Sequence, residues 1–172
     1  EITHIDQVWS SDITYIPLLN GFMYLVAVID WYSRYVLSWR LSNTLEESFC
    51  ISALEDALSR SKPEIFNTDQ GSQFTSNKHT GVLEKSEVLI SMDSRGRALD
   101  NIYIERFWWS LKFEDIYLQS YTDGKTLYKG IESYIAYYNN KRPHQSLEYR
   151  TPSDIYFEML NIYYSHMLTA VV

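Results

Sequence analysis

Three carboxylates are the residues of this 172-residue chain best placed to do chemistry. Asp12 lies in Trp9-Ser10-Ser11-Asp12-Ile13-Thr14-Tyr15. Asp69 closes Ile65-Phe66-Asn67-Thr68-Asp69 and precedes Gln70-Gly71-Ser72-Gln73-Phe74. Glu105 sits in Asp100-Asn101-Ile102-Tyr103-Ile104-Glu105-Arg106-Phe107, with thirty-five residues between it and Asp69. Converging carboxylates supply the oxygen ligands that hard divalent cations prefer, and Mg2+ keeps several waters, so three suffice. A pair of such ions serves an in-line displacement at phosphorus, activating the attacking water or hydroxyl and stabilising the leaving oxygen. Taken singly, each acid has an ordinary structural reading. Asp12 suits a solvated strand edge, Asp69 a turn, and Glu105 the first turn of a helix, where the dipole favours an acid. The case for chemistry rests on all three occurring in order.

The elements that must position them follow from hydrophobic periodicity. Residues 8–17 alternate as a strand that places Asp12 near its middle, ended by Pro17 and the Asn20-Gly21 turn signal. Residues 22–30 are apolar on both faces, as in a strand covered on both sides. Asp30 to Arg34 reads as a turn and 35–42 as a third strand, completing an antiparallel meander. Thr44-Leu45-Glu46-Glu47 reads as a capping box, and Phe49, Cys50, Ala53, Leu54, Ala57 and Leu58 form the stripe of the helix it starts. A short strand, 64–68, leads to Asp69, with Gly71 relaxing the backbone after it. Ser76 caps a helix to about 85, 87–91 is a fifth strand, and 93–100 is a polar loop. Helices follow over 101–113 and 124–140. Thr151-Pro152-Ser153-Asp154 starts another. The order β-β-β-α-β-α-β-α-α gives an α/β fold, a five-stranded mixed sheet flanked by helices.

The composition narrows the classes. Aromatics make up 16% of the chain, which argues for order, because disordered chains are poor in them. A lone cysteine, Cys50, excludes an internal disulfide framework and fits a reducing cytosol. No apolar run approaches a membrane span. The chain opens Glu1-Ile2-Thr3-His4, without a signal peptide and without an initiator Met, as expected of a fragment of something longer. The net charge of −7 argues against a general nucleic-acid binder, but the charge is uneven. Residues 94–150 hold nine Lys/Arg and seven acids, the remainder six and fifteen. The cations therefore cluster around and after Glu105.

Within that cluster Lys112 lies two helical turns from Glu105, about 10 Å along the axis, a spacing suited to a phosphate contact. Arg95 and Arg97 flank Gly96 in a loop able to fold over DNA. Asn101 serves equally as a helix cap and a substrate contact, and Gln73 as a contact to base or backbone. Lys141-Arg142-Pro143-His144-Gln145 follows a helix and can bind phosphate, with His144 read as structural. Trp108 and Trp109 read as core and rim. His4 and His79 stand alone and are assigned to no metal.

These local contexts resemble the transposases of bacterial insertion sequences whose catalytic core is similar to retroviral integrase. The resemblance covers roughly residues 8–155. It is carried by Trp9 to Tyr15, by Tyr24 to Asp30 with Ser33-Arg34, and by Asp69 to Phe74. It continues in Ser91-Met92-Asp93, Gly96, Asp100-Asn101, Glu105-Arg106-Phe107 and Leu111-Lys112. It ends in Tyr138-Asn139-Asn140, Arg142 to Leu147 and Thr151-Pro152. The chain departs from the family's usual residues at Asn67, Ser94 and Trp109, the last on the same face as Glu105. The resemblance implies a ribonuclease-H-like fold and a catalytic, metal-holding triad that falls on Asp12, Asp69 and Glu105. It implies Mg2+, with Mn2+ able to substitute and two ions expected. It further implies cleavage at element ends, transfer of the freed 3′ hydroxyl to target DNA, a homo-oligomer, and a cytoplasmic protein associated with the nucleoid when on DNA. The catalytic core is expected over 1–150 and a C-terminal helical extension over 151–172, with the family's N-terminal helix-turn-helix region absent. The alternative is a non-catalytic relic or assembly module of a truncated transposase. A ribonuclease-H-like nuclease ranks last, since it would not share the segment from Arg142 to Gln145.

Overall fold

The strand with two apolar faces sets the layering, because each face needs a cover. A computed structural model describes residues 1–92 and 101–169, with side chains as far as 162. β1 (Val8–Leu18), β2 (Gly21–Asp30) and β3 (Val36–Ser42) form an antiparallel meander. β4 (Ile65–Thr68) pairs parallel with β1, and β5 (Leu89–Met92) parallel with β4, giving the order β3-β2-β1-β4-β5. The helices are α1 (Glu47–Leu58), α2 (Asn77–Lys85), α3 (Ile102–Leu111), α4 (Tyr117–Gln119), α5 (Gly124–Asn140) and α6 (Pro152–Thr169). Leu25, Ala27 and Ile29 of β2 pack with Ile104, Phe107 and Leu111 of α3 and with Leu127 and Ile131 of α5. Val26 and Val28 turn to the opposite layer, with Phe49, Ala53 and Leu54 of α1, Leu83 of α2 and Tyr156 of α6. Burying each such aliphatic side chain contributes about 1.5–3 kcal/mol.

The β1–β2 hairpin closes where Leu18 pairs with Gly21. Gly21 has φ +103 with open space around a would-be Cβ, so the backbone alone requires glycine there. β1 continues through Pro17, which pairs with Phe22. β4 reaches only from Val8 to Ser11, and beyond that open edge a missing N–H is tolerated. The Asp30 turn is fixed by its buried carboxylate. Oδ1 accepts from the Ser33 N–H at 2.7 Å and the Ser33 hydroxyl at 2.5 Å, and Oδ2 accepts from the Asp6 N–H at 2.8 Å.

Helix starts follow the expected caps at Ser76, whose hydroxyl accepts from the His79 N–H, and at Thr151, whose hydroxyl accepts from the Asp154 N–H. Thr44 does not cap α1. The helix begins at Glu47 behind Glu46, without a side-chain cap, and Thr44 instead closes a turn on Ser42, its N–H donating to Ser42 Oγ at 3.1 Å. The helix expected to stop at Phe113 runs on through a π-helical segment, Lys112–Ile116, into α4, and ends at Ser120 with φ 49. Asp123, which accepts the N–H groups of Lys125 and Thr126, starts α5. The hydroxyl of Tyr156 donates to Asp6, which ties α6 to the start of the chain.

Candidate active site

Side chains alternate along a strand. On β1, Trp9 and Ile13 pack with the α1 layer and Ile16 with the α3 layer, so Asp12, with the parity of Ile16, faces α3. There the buried indole of Trp108 donates its N–H to Asp12 Oδ2 at 2.9 Å. A buried indole N–H needs an acceptor, and here Asp12 is it. Burial pushes the Asp12 carboxyl up to about 6. The hydrogen bonds from Trp108 and the Ile13 backbone oppose the rise, and the charges of Asp69 and Glu105 add to it. Carboxylates from β1, from the loop after β4 and from α3 therefore share one electrostatic field.

Asp69 is exposed and follows β4 directly. Its Oδ1 accepts the Gly71 N–H at 2.9 Å. The reason for glycine at 71 is room rather than backbone freedom, since Gly71 is not among the positive-φ glycines. A Cβ there would lie 2.9 Å from Asp69 Oδ1. Glu105 is exposed in the first turn of α3. Lys112 belongs to the same site. Burial lowers its pKa and the charge of Asp12 raises it, so its ammonium lies within the field of Asp12.

The donor set fits a hard divalent cation in chemistry: acceptor-only oxygens that repel one another, an unfavourable balance a cation would offset. Among the described residues no three His, Cys, Asp or Glu side chains already stand close enough to hold one ion. Asp69 and Glu105 are both exposed, so packing does not lock their rotamers.

The other expected contacts divide. Asn101 occupies the cap position of α3 without a side-chain cap bond, and its buried Oδ1 has no partner among the described residues. Gln73 donates to the Leu45 carbonyl at 3.1 Å, which braces the loop after Asp69. Arg95 and Arg97 lie outside the described residues. Arg142 is engaged: its Nε and Nη2 grip Glu114, whose Oε2 also accepts the Tyr134 hydroxyl. His144 stands edge-on to Tyr138 at 4.8 Å. Trp109 is half exposed and stacks on Phe113 at 5.0 Å. Burial first and Asp69 second push the Cys50 thiol up to about 12, which leaves no thiolate nucleophile. Trp108 is the site residue that the sequence reading placed in the core without a partner. Its position three residues beyond Glu105 was the available signal, since residues three apart share a helix face.

A sheet of this order, with one acid on its central strand and another on the helix beside it, defines an integrase-like member of the ribonuclease-H-like α/β proteins. The chain belongs to the integrase core domain family, whose model matches residues 3–98, with a second model of the same description over 86–152. It is 34% identical over 163 residues to the transposase for insertion sequence element IS904 of Lactococcus lactis, covering 91% of this chain and 62% of that relative. The chain thus spans less than two thirds of that transposase's length. Among solved structures, the catalytic core domain of BIV integrase aligns with TM-score 0.74 at 17% identity, over 92% of this chain and 99% of that one. The HTLV-2 integrase catalytic core domain in complex with magnesium aligns with TM-score 0.66 at 18% identity, over 89% and 97%. At these identities the likeness is one of fold. No helix among the described residues is long and apolar enough to cross a membrane.

Proposed function

We propose that this chain is the catalytic core of an insertion-sequence transposase that cuts and rejoins DNA with divalent metal. The observation that carries the proposal is the field at Asp12, to which Asp69 and Glu105 both contribute from other elements. In this reading Asp12, Asp69 and Glu105 hold Mg2+, or Mn2+ in its place, as a pair of ions. When bound, the metal lowers the pKa of the attacking water or DNA 3′ hydroxyl and stabilises the leaving oxygen. The rest falls to the chain. The Trp108 N–H fixes Asp12 Oδ2, the Gly71 N–H orients Asp69, and the Lys112 ammonium meets a phosphate oxygen beside the scissile bond. Asn101 and Gln73 are assigned to DNA contact, as are Arg95 and Arg97, which lie outside the described residues. The same carboxylates serve both steps, so no protein nucleophile is required. The whole protein acts on element ends and target DNA as a homo-oligomer in the cytoplasm. The relatives are insertion-sequence transposases, and one structural neighbour is described as a dimeric form.

A non-catalytic assembly module is the second reading, favoured by one fact: the acids do not yet form a three-ligand cluster among the described residues. Strand cleavage separates the two. With the full-length protein, element-end DNA and Mg2+, Asp12→Asn, Asp69→Asn and Glu105→Gln each abolish nicking while DNA binding persists. Undiminished nicking in any one of them refutes the assignment of that residue.

A further inference from the structure

The helix that carries Glu105 has a second polar side. Tyr103, Arg106 and Ser110 share a face at helical spacing, one step round from Glu105, Trp109 and Lys112. That face walls a cavity of about 690 Å3 closed on its far side by Arg142, His144 and Tyr149, with Arg34 at one end. No acid lines it among the described residues. At Arg34 and Tyr103 it meets a second cavity of about 470 Å3 that reaches Arg150 and includes one acid, Glu148. The two form a trough with four arginines along it.

Two of these arginines are paired, Arg142 with Glu114 and Arg150 with Glu158, and two are not. Arg34 is half-buried, lies 3.5 Å over the Tyr103 ring centroid, and makes no ion pair among the described residues. The acid that acts on it is Asp30, whose carboxylate is occupied by Ser33 and Asp6. Burial lowers the pKa of Arg34, with smaller opposing contributions from Tyr103, Tyr138 and Asp30. A guanidinium nevertheless stays charged, so its desolvation is a standing cost that an anion would offset. Arg106 is exposed, with its guanidinium 5.0 Å over Trp109 and no ion pair among the described residues. Arg142 uses Nε and Nη2 on Glu114, and no hydrogen bond of its Nη1 is found among the described residues. Burial, then Arg142 and Arg34, hold His144 down at about 4. It is therefore neutral, and its buried Nε2 has no partner among the described residues.

We infer that this trough, along the side of α3 that carries Tyr103, Arg106 and Ser110, binds the phosphate backbone of duplex DNA. Arginine forks match phosphate oxygens, and a row of them is longer than a single free anion can use. Tyrosine hydroxyls along the walls add neutral donors to the same oxygens. The inference rests on the reading that the chain works on DNA, and it adds where the duplex lies beyond the scissile phosphate.

The test is the salt dependence of binding. The chain is titrated against a fluorescent 30-base-pair duplex of arbitrary sequence, without metal, from about 20 to 200 mM KCl, a range over which phosphate contacts dominate affinity. Arg106→Gln and Arg34→Gln should each lower the slope of log K against log salt by about 0.9, and weaken binding at 50 mM salt roughly tenfold. Lys129→Gln, on the exposed side of α5, should leave the slope unchanged. Arg106 is exposed, so its variant reads the trough even if Arg34→Gln fails to fold. Unchanged slopes in the folded arginine variants overturn the inference. So does absence of duplex binding by the unmutated chain at 20 mM salt, or tighter binding of polyglutamate than of duplex, which would make the trough a protein-docking site. If Asp69→Asn keeps metal-dependent nicking while the arginine variants lose slope, the catalytic reading fails and the trough stands. If it loses nicking while the arginine slopes hold, the reverse is true.

Discussion

Replacing Asp12 with Asn should make the metal-free protein more stable. Burial, Asp69 and Glu105 raise the Asp12 carboxyl from 3.8 to about 6 against its hydrogen bonds. The fold therefore binds this proton more tightly than the unfolded chain does. Stability is greatest below about pH 4, falls as pH rises through the window from 3.8 to about 6, and carries the full deficit at pH 7. The deficit amounts to about 3 kcal/mol at 1.4 kcal/mol per unit. Asn is isosteric, has no charge, and keeps an oxygen for the Trp108 N–H. In urea at pH 7, Asp12→Asn should gain roughly 2–3 kcal/mol with m unchanged, a gain that narrows to less than about 1 kcal/mol at pH 4. Asp30, pushed up to about 6 by its own burial, titrates in the same window but in both proteins, so it cancels in the difference. Millimolar Mg2+ should then stabilise the unmutated protein and not the variant. A variant no more stable than the unmutated protein at pH 7, or equally stabilised by Mg2+, refutes the reasoning.

Gly71→Ala places a Cβ 2.9 Å from Asp69 Oδ1; Asp69 must turn away, and Mg2+ affinity should fall about tenfold with the melting temperature nearly unchanged, as read by calorimetry. Removing one partner of the Arg142–Glu114 pair strands the other, and both are largely shielded from solvent. Arg142→Ala should therefore cost about 2–3 kcal/mol in urea denaturation, with little rescue by Lys, which lacks the two-pronged geometry; full rescue by Lys contradicts the account. Lys112→Met removes the cation that shares the field of Asp12. It should raise the Asp12 pKa further, which a carbon-13 carboxyl titration of the metal-free protein would detect, and an unshifted titration would place Lys112 elsewhere.

Much of the fold was legible because its signals are local. β2 announces its two covered faces by an unbroken apolar run, and α5 keeps the expected bounds because its stripe is regular. Features set by distant contacts were not legible. The Thr44 capping box was outcompeted by a turn on Ser42. The helix after Glu105 runs on through a π-helical segment in which Glu114 meets Arg142, twenty-eight positions away. At the site, the sequence put Asp12 on the first strand and Glu105 in the first turn of a helix, where the structure has them, but sequence spacing carries no information on partners. It could not show that Trp108 binds Asp12, that Gly71 serves by its lack of bulk, or that Arg142 is held by a carboxylate.

Diffraction at the manganese edge from Mn2+-soaked crystals asks most directly whether the three acids make one cation site. An anomalous peak within about 2.2 Å of oxygens from both Asp12 and Asp69, weakened or displaced in Glu105→Gln, is the result expected. Manganese bound only elsewhere, or none at millimolar concentration, contradicts it.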